Sequence, residues 1–251
     1  MRILLLSDIH SNLEAFEACL AAAPEYDRVV NLGDIVGYGA NPNEVIDRSR
    51  SLGEVFVRGN HDKASAGLME LQDFNPIAGM AALWTREQLT PANLEWLRNL
   101  PEGPIQIEDL PGVQFVHGSP IDEDEYVVTL RDAIEPLLAS SATLTFFGHT
   151  HLQGAFSTNS VASDFFRPEY KTVGQKETVG LPLKQGVRYL VNPGSVGQPR
   201  DGDWRAAFAV YDSDPRIVTF YRVPYNLKDA QDRILAANLP LRLATRLAAG
   251  R

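Results

Sequence analysis

The chain has a single cysteine, Cys19, in 251 residues. An internal disulfide is therefore excluded, and the helical apolar spacing from Leu13 to Leu20 makes Cys19 a small buried hydrophobe. Long hydrophobic runs are also missing. The first, Ile3-Leu4-Leu5-Leu6, is cut at Ser7-Asp8, too short for the core of a signal peptide, and no run is long enough to cross a bilayer. A cytoplasmic protein with no membrane partner is expected. Positive charge is scarce: 23 Lys and Arg stand against 32 Asp and Glu, for a net charge of -9. Bulk nucleic acid and anionic membranes need clustered Lys and Arg, so both are disfavoured as partners, and an anionic substrate would need a local reversal of sign. Repeats, low-complexity tracts and linkers are absent, and residues 1–251 read as one α/β domain.

What is present alternates between apolar runs and helical patterns. Residues 2 to 7 read as a buried strand, Asn12 to about Ala22 as a helix, and Arg28 to Leu32 as a second strand, forming a parallel βαβ unit. Asn41-Pro42-Asn43-Glu44 carries helix-start signals, Gly53 closes that helix, and Glu54 to Val57 gives a third strand. Two amphipathic helices lie between Asn75-Pro76 and Leu100, with Trp84 and Trp96 as packing residues. Pro104 to Asp109 and Val113 to Val116 flank a hairpin turn. The acidic run Asp122 to Glu125 reads as a solvated loop, Thr129 to Ala139 as a helix weakened by Pro136, and residues 143 to 147 as a strand. Residues 152 to 187 read as a hairpin excursion. Arg188 to Val191, Arg205 to Tyr211 and Arg216 to Arg222 read as strands of a second sheet, and Asn226 to about Ala237 as a terminal helix.

Polar signatures follow the apolar runs: Asp8-Ile9-His10, Gly33-Asp34, Gly59-Asn60-His61-Asp62, His117 and Gly148-His149-Thr150-His151. In an extended chain His-x-His aims both rings at one spot, which suits a metal. Strand ends of an open α/β sheet converge on one crevice, and all five histidines fall in these signatures. One such pair would be a weak signal. Five in succession are not accidental.

These ordered blocks resemble the calcineurin-like metallophosphoesterase superfamily, and Asn192-Pro193-Gly194-Ser195-Val196-Gly197 is similar to a later loop of its small bacterial and archaeal phosphodiesterase branch. The resemblance implies a four-layer αββα sandwich with two mixed sheets and a site for two divalent metal ions. Asp8, His10 and His151 would hold one ion, Asn60, His117 and His149 the other, with Asp34 bridging. Imidazole and carboxylate without thiolate favour Mn, Fe, Zn or Ni, with Mn taken first. Two such ions against two carboxylates leave about +2 to meet a phosphate. A shared water acidified between them makes hydroxide the nucleophile. His61 would act near the leaving-group oxygen, with Asp62 orienting its ring.

The expected activity is hydrolysis of phosphomonoesters or phosphodiesters, on small phosphate-ester or nucleotide substrates. Tyr38, Tyr126 and Arg200, with Asp201, are expected at the substrate pocket, and loops 63–80 and 152–187 are expected to set its specificity. Dinucleoside polyphosphate hydrolysis is an alternative. Protein serine/threonine phosphatases of the superfamily carry an arginine in the Gly-Asp block and Glu after Gly-Asn-His. Here residues 33 to 39 hold no arginine and Asp62 replaces the Glu, which weighs against that activity. A non-catalytic scaffold is the alternative from another class, and it predicts lost ligands.

Overall fold

The computed structural model describes residues 1–251 apart from Glu54, Gln72, Asp73 and Ser160. The first half of the chain alternates β1 (Arg2–Leu6), α1 (Leu13–Ala22), β2 (Arg28–Asn31), α2 (Pro42–Leu52), β3 (Val55–Phe56), α3 (Asn60–Ala66), α4 (Pro76–Gln88) and α5 (Pro91–Arg98). It continues with β4 (Ile105–Gln106), β5 (Val113–Phe115), α6 (Leu130–Ala139) and β6 (Leu144–Phe146). The remainder is β7 (Gly154–Thr158), β8 (Ser163–Phe166), β9 (Glu177–Pro182), β10 (Arg188–Asn192), β11 (Ala206–Asp212), β12 (Ile217–Val223), α7 (Leu227–Ala236) and α8 (Leu241–Ala249). Among the described residues no helix is long and apolar enough to cross a membrane.

The strands form two six-stranded mixed sheets, ordered β3-β2-β1-β11-β12-β9 and β4-β5-β6-β10-β7-β8. Their faces follow the two-residue period of a strand. Ile3 and Leu5 turn inward to an apolar layer shared with Phe115, Phe146, Val191, Ala209 and Phe220, while Leu4 and Leu6 turn outward beneath the helices. That outer layer buries Phe16 and Cys19 of α1, Val45 of α2, Ala81 of α4, Ile234 of α7 and Leu243 of α8. On the far sheet α6 lays Ala133 and Leu137 over Phe147 and Leu190. The layer order is thus αββα.

Local signals explain the helix starts. Asn12 accepts a hydrogen bond from the Ala15 N–H, Asn75 from Ile77 and Thr90 from Asn93, each satisfying a donor of a first turn. Thr129 and Asp132 cap α6 reciprocally, and the helix runs on through the buried Pro136. β1, β2 and β3 are parallel, as are β5, β6 and β10, so the carboxyl ends of both sets leave the sandwich along the same kind of edge.

Several expectations need correction. β10 pairs with β6 and β7 in one sheet, whereas β11 and β12 extend the other, with β11 antiparallel to β1. Alternation tells a strand's faces but not its neighbour. Residues 152–187 begin as the expected hairpin, β7 with β8, but β9 then crosses to pair with β12. Of the third strand, residues 55 and 56 pair with β2, and Glu54 lies outside the described residues. The helices α3 and α8 have no counterpart in the sequence reading.

Phe146 is fully buried between the sheets, 5.8 Å from the Phe115 ring and 5.4 Å from Tyr211. Phe146→Ala is expected to destabilise the fold by about 3–5 kcal/mol, through lost transfer energy and the cavity left behind. Urea unfolding checks this, and a loss below about 1 kcal/mol would show that the two sheets do not depend on this layer.

Candidate metal centre

The five signatures meet at the carboxyl ends of β1, β2, β3, β5 and β6. Asp8, His10, Asp34 and His151 present ligand atoms within 4.8 Å of one another, and so do Asp34, His117 and His149. One carboxylate oxygen joins the two groups: Asp34 Oδ2 lies 3.5 Å from His10 Nε2 and 3.5 Å from His117 Nε2. The other oxygen, Oδ1, accepts the His61 backbone N–H at 2.8 Å and so fixes the carboxylate plane. Asn60 Oδ1 stands 3.4 Å from His117 Nε2, at the edge of the second group.

The imidazoles are aimed from behind. His10 Nδ1 faces the Val36 carbonyl at 3.1 Å, His117 Nδ1 that of Leu32 at 2.7 Å, His149 Nε2 that of Asp124 at 3.1 Å, and His151 Nδ1 that of Gln198 at 2.5 Å. A carbonyl only accepts, so each outer nitrogen carries a proton, and a neutral ring then presents a lone pair from its inner nitrogen. The inner nitrogens then face each other, His10 Nε2 and His151 Nε2 at 3.1 Å, His117 Nε2 and His149 Nδ1 at 3.1 Å. Inner nitrogens opposed at that distance beside two buried carboxylates call for positive charge between them, a proton or a metal ion. The donor set of imidazole and carboxylate fits divalent metal ions.

The charges of the protein's own groups agree. Burial pushes the Asp8 carboxyl up to about 7, with Asp34 adding to the rise. For Asp34 burial acts in the same sense, but His117, His61 and His10 outweigh it and hold the carboxyl well below the usual range. Burial takes His149 down to about 3 and His61 to about 4, and drives His10 and His151 well below the ordinary imidazole value. At His117 burial is outweighed by Asp34, Asp8 and the Leu32 carbonyl, and the ring rises to about 9. The spot shared by Asp34 and His117 therefore draws positive charge, as a proton or as a metal.

The local backbone is bent to make this possible. Among the described residues nine non-glycine residues have positive φ, and Asp8, His10, Ser11, Asp34, Tyr38, His149 and His151 account for seven of them, all at this centre. The His-x-His pair is therefore not an extended strand, as expected, but two left-handed residues beyond β6. The rings of His149 and His151 consequently enter different groups rather than one spot. Gly59 is required by a close approach, because a Cβ there would meet Asp34 Oδ1 at 2.1 Å. Gly33, at φ +96°, would likewise press on His117 Nδ1 at 2.8 Å.

The remaining sequence candidates divide. His61, 4% exposed, packs on Tyr38 at 4.3 Å, His10 at 4.9 Å and Phe74 at 5.1 Å between ring centres, and its Nδ1 is buried without a partner among the described residues. Asp62 does not orient that ring. Its two oxygens accept backbone N–H groups of Gly59 at 2.9 Å and Val36 at 3.1 Å, so it ties the Asn60 turn to the Asp34 loop. Tyr38 and Arg200 come together beside the centre, with the guanidinium 6.0 Å from the ring centre. Asp201 turns away and pairs with Arg222.

Sequence reasoning missed the supports. Ser7 Oγ donates to Asp8 at 2.6 Å, and Ser195 Oγ to the Asp8 carbonyl at 2.8 Å. Nor is the acidic run simply solvated: Glu123 pairs with Arg58 and the buried Lys63, and Asp124 supplies the carbonyl behind His149. Ser195 was legible only as part of the Asn192-to-Gly197 motif, and Ser7 only as the neighbour of the first aspartate.

Known proteins carry the same arrangement of chain. An uncharacterized protein of Methanocaldococcus jannaschii is 36% identical over 253 residues, covering 99% of this chain and 98% of that one. The crystal structure of a metallophosphoesterase from Sphaerobacter thermophilus superposes with a TM-score of 0.83 at 40% identity, covering 100% and 99% of the two chains. A hypothetical protein of Pyrococcus horikoshii OT3 shares the fold at a TM-score of 0.76 and 21% identity, with 100% and 98% covered. Residues 1–215 match the model of the calcineurin-like phosphoesterase superfamily domain, and with the relatives at 36% and 40% identity this shows that the chain belongs to that superfamily.

Proposed function

We propose that the protein is a binuclear metal-dependent phosphoesterase acting on small phosphate monoesters or diesters. The observation that carries this reading is the shared oxygen: Asp34 Oδ2 serves both imidazole groups at equal distance. Asp8, His10 and His151 would hold one ion and Asn60, His117 and His149 the other, with Mn first among Mn, Fe, Zn and Ni for this donor set. Ions there would supply Lewis-acid charge and an acidified water for in-line displacement at phosphorus.

The chain's own part is orientation, charge and proton handling. The four carbonyls behind the imidazoles fix their tautomers, which preorganises the centre before substrate arrives. His61, held over Asp34 by its own backbone N–H, presents its ring from the first turn of α3 and is assigned to the leaving-group oxygen. Asp62 serves as a positioning residue for the loop, not as the partner of the His61 ring. The complete Asp and His set speaks against the scaffold alternative, which has no use for opposed inner nitrogens. The single buried Cys19 suits a reducing, cytoplasmic setting.

Metal-stripped protein given Mn, Ni, Zn or Mg singly is expected to recover turnover of a bis-aryl or mono-aryl phosphate with at least one metal. Failure with every metal, in protein shown to bind two ions, would reject the phosphoesterase reading. His61→Ala should keep its metal content while losing roughly a hundredfold or more in kcat, and unchanged kcat would remove His61 from the chemistry. Asp34→Asn is expected to lower occupancy at both positions, measured by elemental analysis; a fully metallated variant would refute the bridge.

A further inference from the structure

Beside the Asp/His centre lies a pocket of about 250 Å³ whose lining includes Tyr38, Asn75, Tyr126, Arg200, Arg242 and Arg246. Its described lining holds three guanidiniums and no carboxylate. That is anomalous in a chain of net charge -9. Elsewhere the most deeply buried arginines are neutralised, Arg205 by Asp203 and Glu177 and Arg222 by Asp201, as is Arg58 by Glu102 and Glu123, whereas the half-buried Arg86 and Arg188 are taken up by backbone carbonyls. Arg200, Arg242 and Arg246 form no ion pair with a described Asp or Glu; Arg246 Nε donates to the main-chain oxygen of Arg251, and the other two have no anionic partner among the described residues.

Their arrangement concentrates charge. Arg200 and Arg246 both lie against the Tyr38 ring, at 6.0 and 5.5 Å from its centre. Arg200 Nε is buried with no partner among the described residues, and its Nη2 reaches only the neutral Gln198 Oε1 at 3.3 Å. Burial and then Arg200's like charge lower the pKa of Arg246. Arg242 and Arg246 stand four residues apart on α8, so one face of that helix presents both guanidiniums to the same wall. Cations brought together in this way repel one another until an anion sits among them.

The pocket adjoins the reaction centre. Tyr38 is 4.7 Å from the His10 ring and 4.3 Å from His61, Tyr126 is 3.8 Å from His149, and the Arg200 backbone N–H donates to the His151 carbonyl at 3.4 Å.

We propose that Arg200, Arg242 and Arg246 form a second anion subsite that binds a phosphoryl group of the substrate other than the one hydrolysed. The substrate class is then a small molecule carrying at least two phosphates. This rests on the phosphoesterase reading above. Arginine suits the role, because its planar fork meets a phosphate bidentately and keeps its charge.

The test compares wild type with R242Q/R246Q, and with the single R242Q at the exposed end of the pair as the variant least able to disturb folding. Calorimetry on metal-stripped protein uses tripolyphosphate and inorganic phosphate, so that metal chelation plays no part. The double variant is expected to bind tripolyphosphate about tenfold or more weakly than wild type, and R242Q to fall between them. In metal-loaded protein the ratio of kcat/KM for a two-phosphate substrate to that for a bis-aryl phosphate should fall by a similar factor. A nucleoside polyphosphate and a sugar bisphosphate, assayed side by side, tell which source supplies the second phosphate. Equal tripolyphosphate affinity in folded wild type and variants overturns the subsite. Failure of wild type to hydrolyse any phosphate ester removes the phosphoesterase reading instead, and the calorimetric comparison still decides the subsite.

Discussion

Each ring that closes the Asp/His centre is held by a carbonyl behind it, and the rest of the structure depends on that constraint. Val36, Leu32, Asp124 and Gln198 each take the outer N–H of one imidazole, leaving the inner nitrogen no direction but toward its neighbours. The Val36 and Leu32 carbonyls come from the segment after β2, that of Asp124 from the acidic run and that of Gln198 from the loop after β10. Moving any one of them would rotate a ring. This explains why supports as distant in sequence as Lys63 and Glu123, or Ser195 and Asp8, are linked to the site.

The two sheets serve the same end. Parallel β1, β2 and β3 deliver Asp8, Asp34 and Asn60 from one sheet, and β5 and β6 deliver His117, His149 and His151 from the other. A sandwich brings the two sets of strand ends to one edge while its interior stays apolar. The cost is taken in the loops, where seven non-glycine residues adopt left-handed backbone that only a well-braced surround maintains. Asp62 is such a brace. Its type and place suggest catalysis, and its hydrogen bonds show support.

Charge is organised against the average of the chain. The chain as a whole carries a net charge of -9, while metal ions and three arginines would reverse the sign at one edge. α8 matters here beyond its packing of Leu243 and Leu247, because it carries two of those arginines to the edge of the site. The Gly202 N–H to the Gly250 carbonyl, at 3.0 Å, ties the Arg200 loop to the end of that helix.

By itself the sequence determined the alternation of strands and helices, the faces of the strands and the residue types at their ends, because period, caps and motif order are local properties. His10, Asp34, His117 and His151 were legible as one set for that reason. It did not determine that β11 joins β1 while β10 joins β6, since a strand's pattern names its faces and not its partner. Nor did it reveal the pairing of Asp201 with Arg222, the turning of Asp62 to the backbone, or the meeting of Arg200 with Arg242 and Arg246. Those depend on distances between residues far apart in the chain, and only the packed tertiary structure sets such distances.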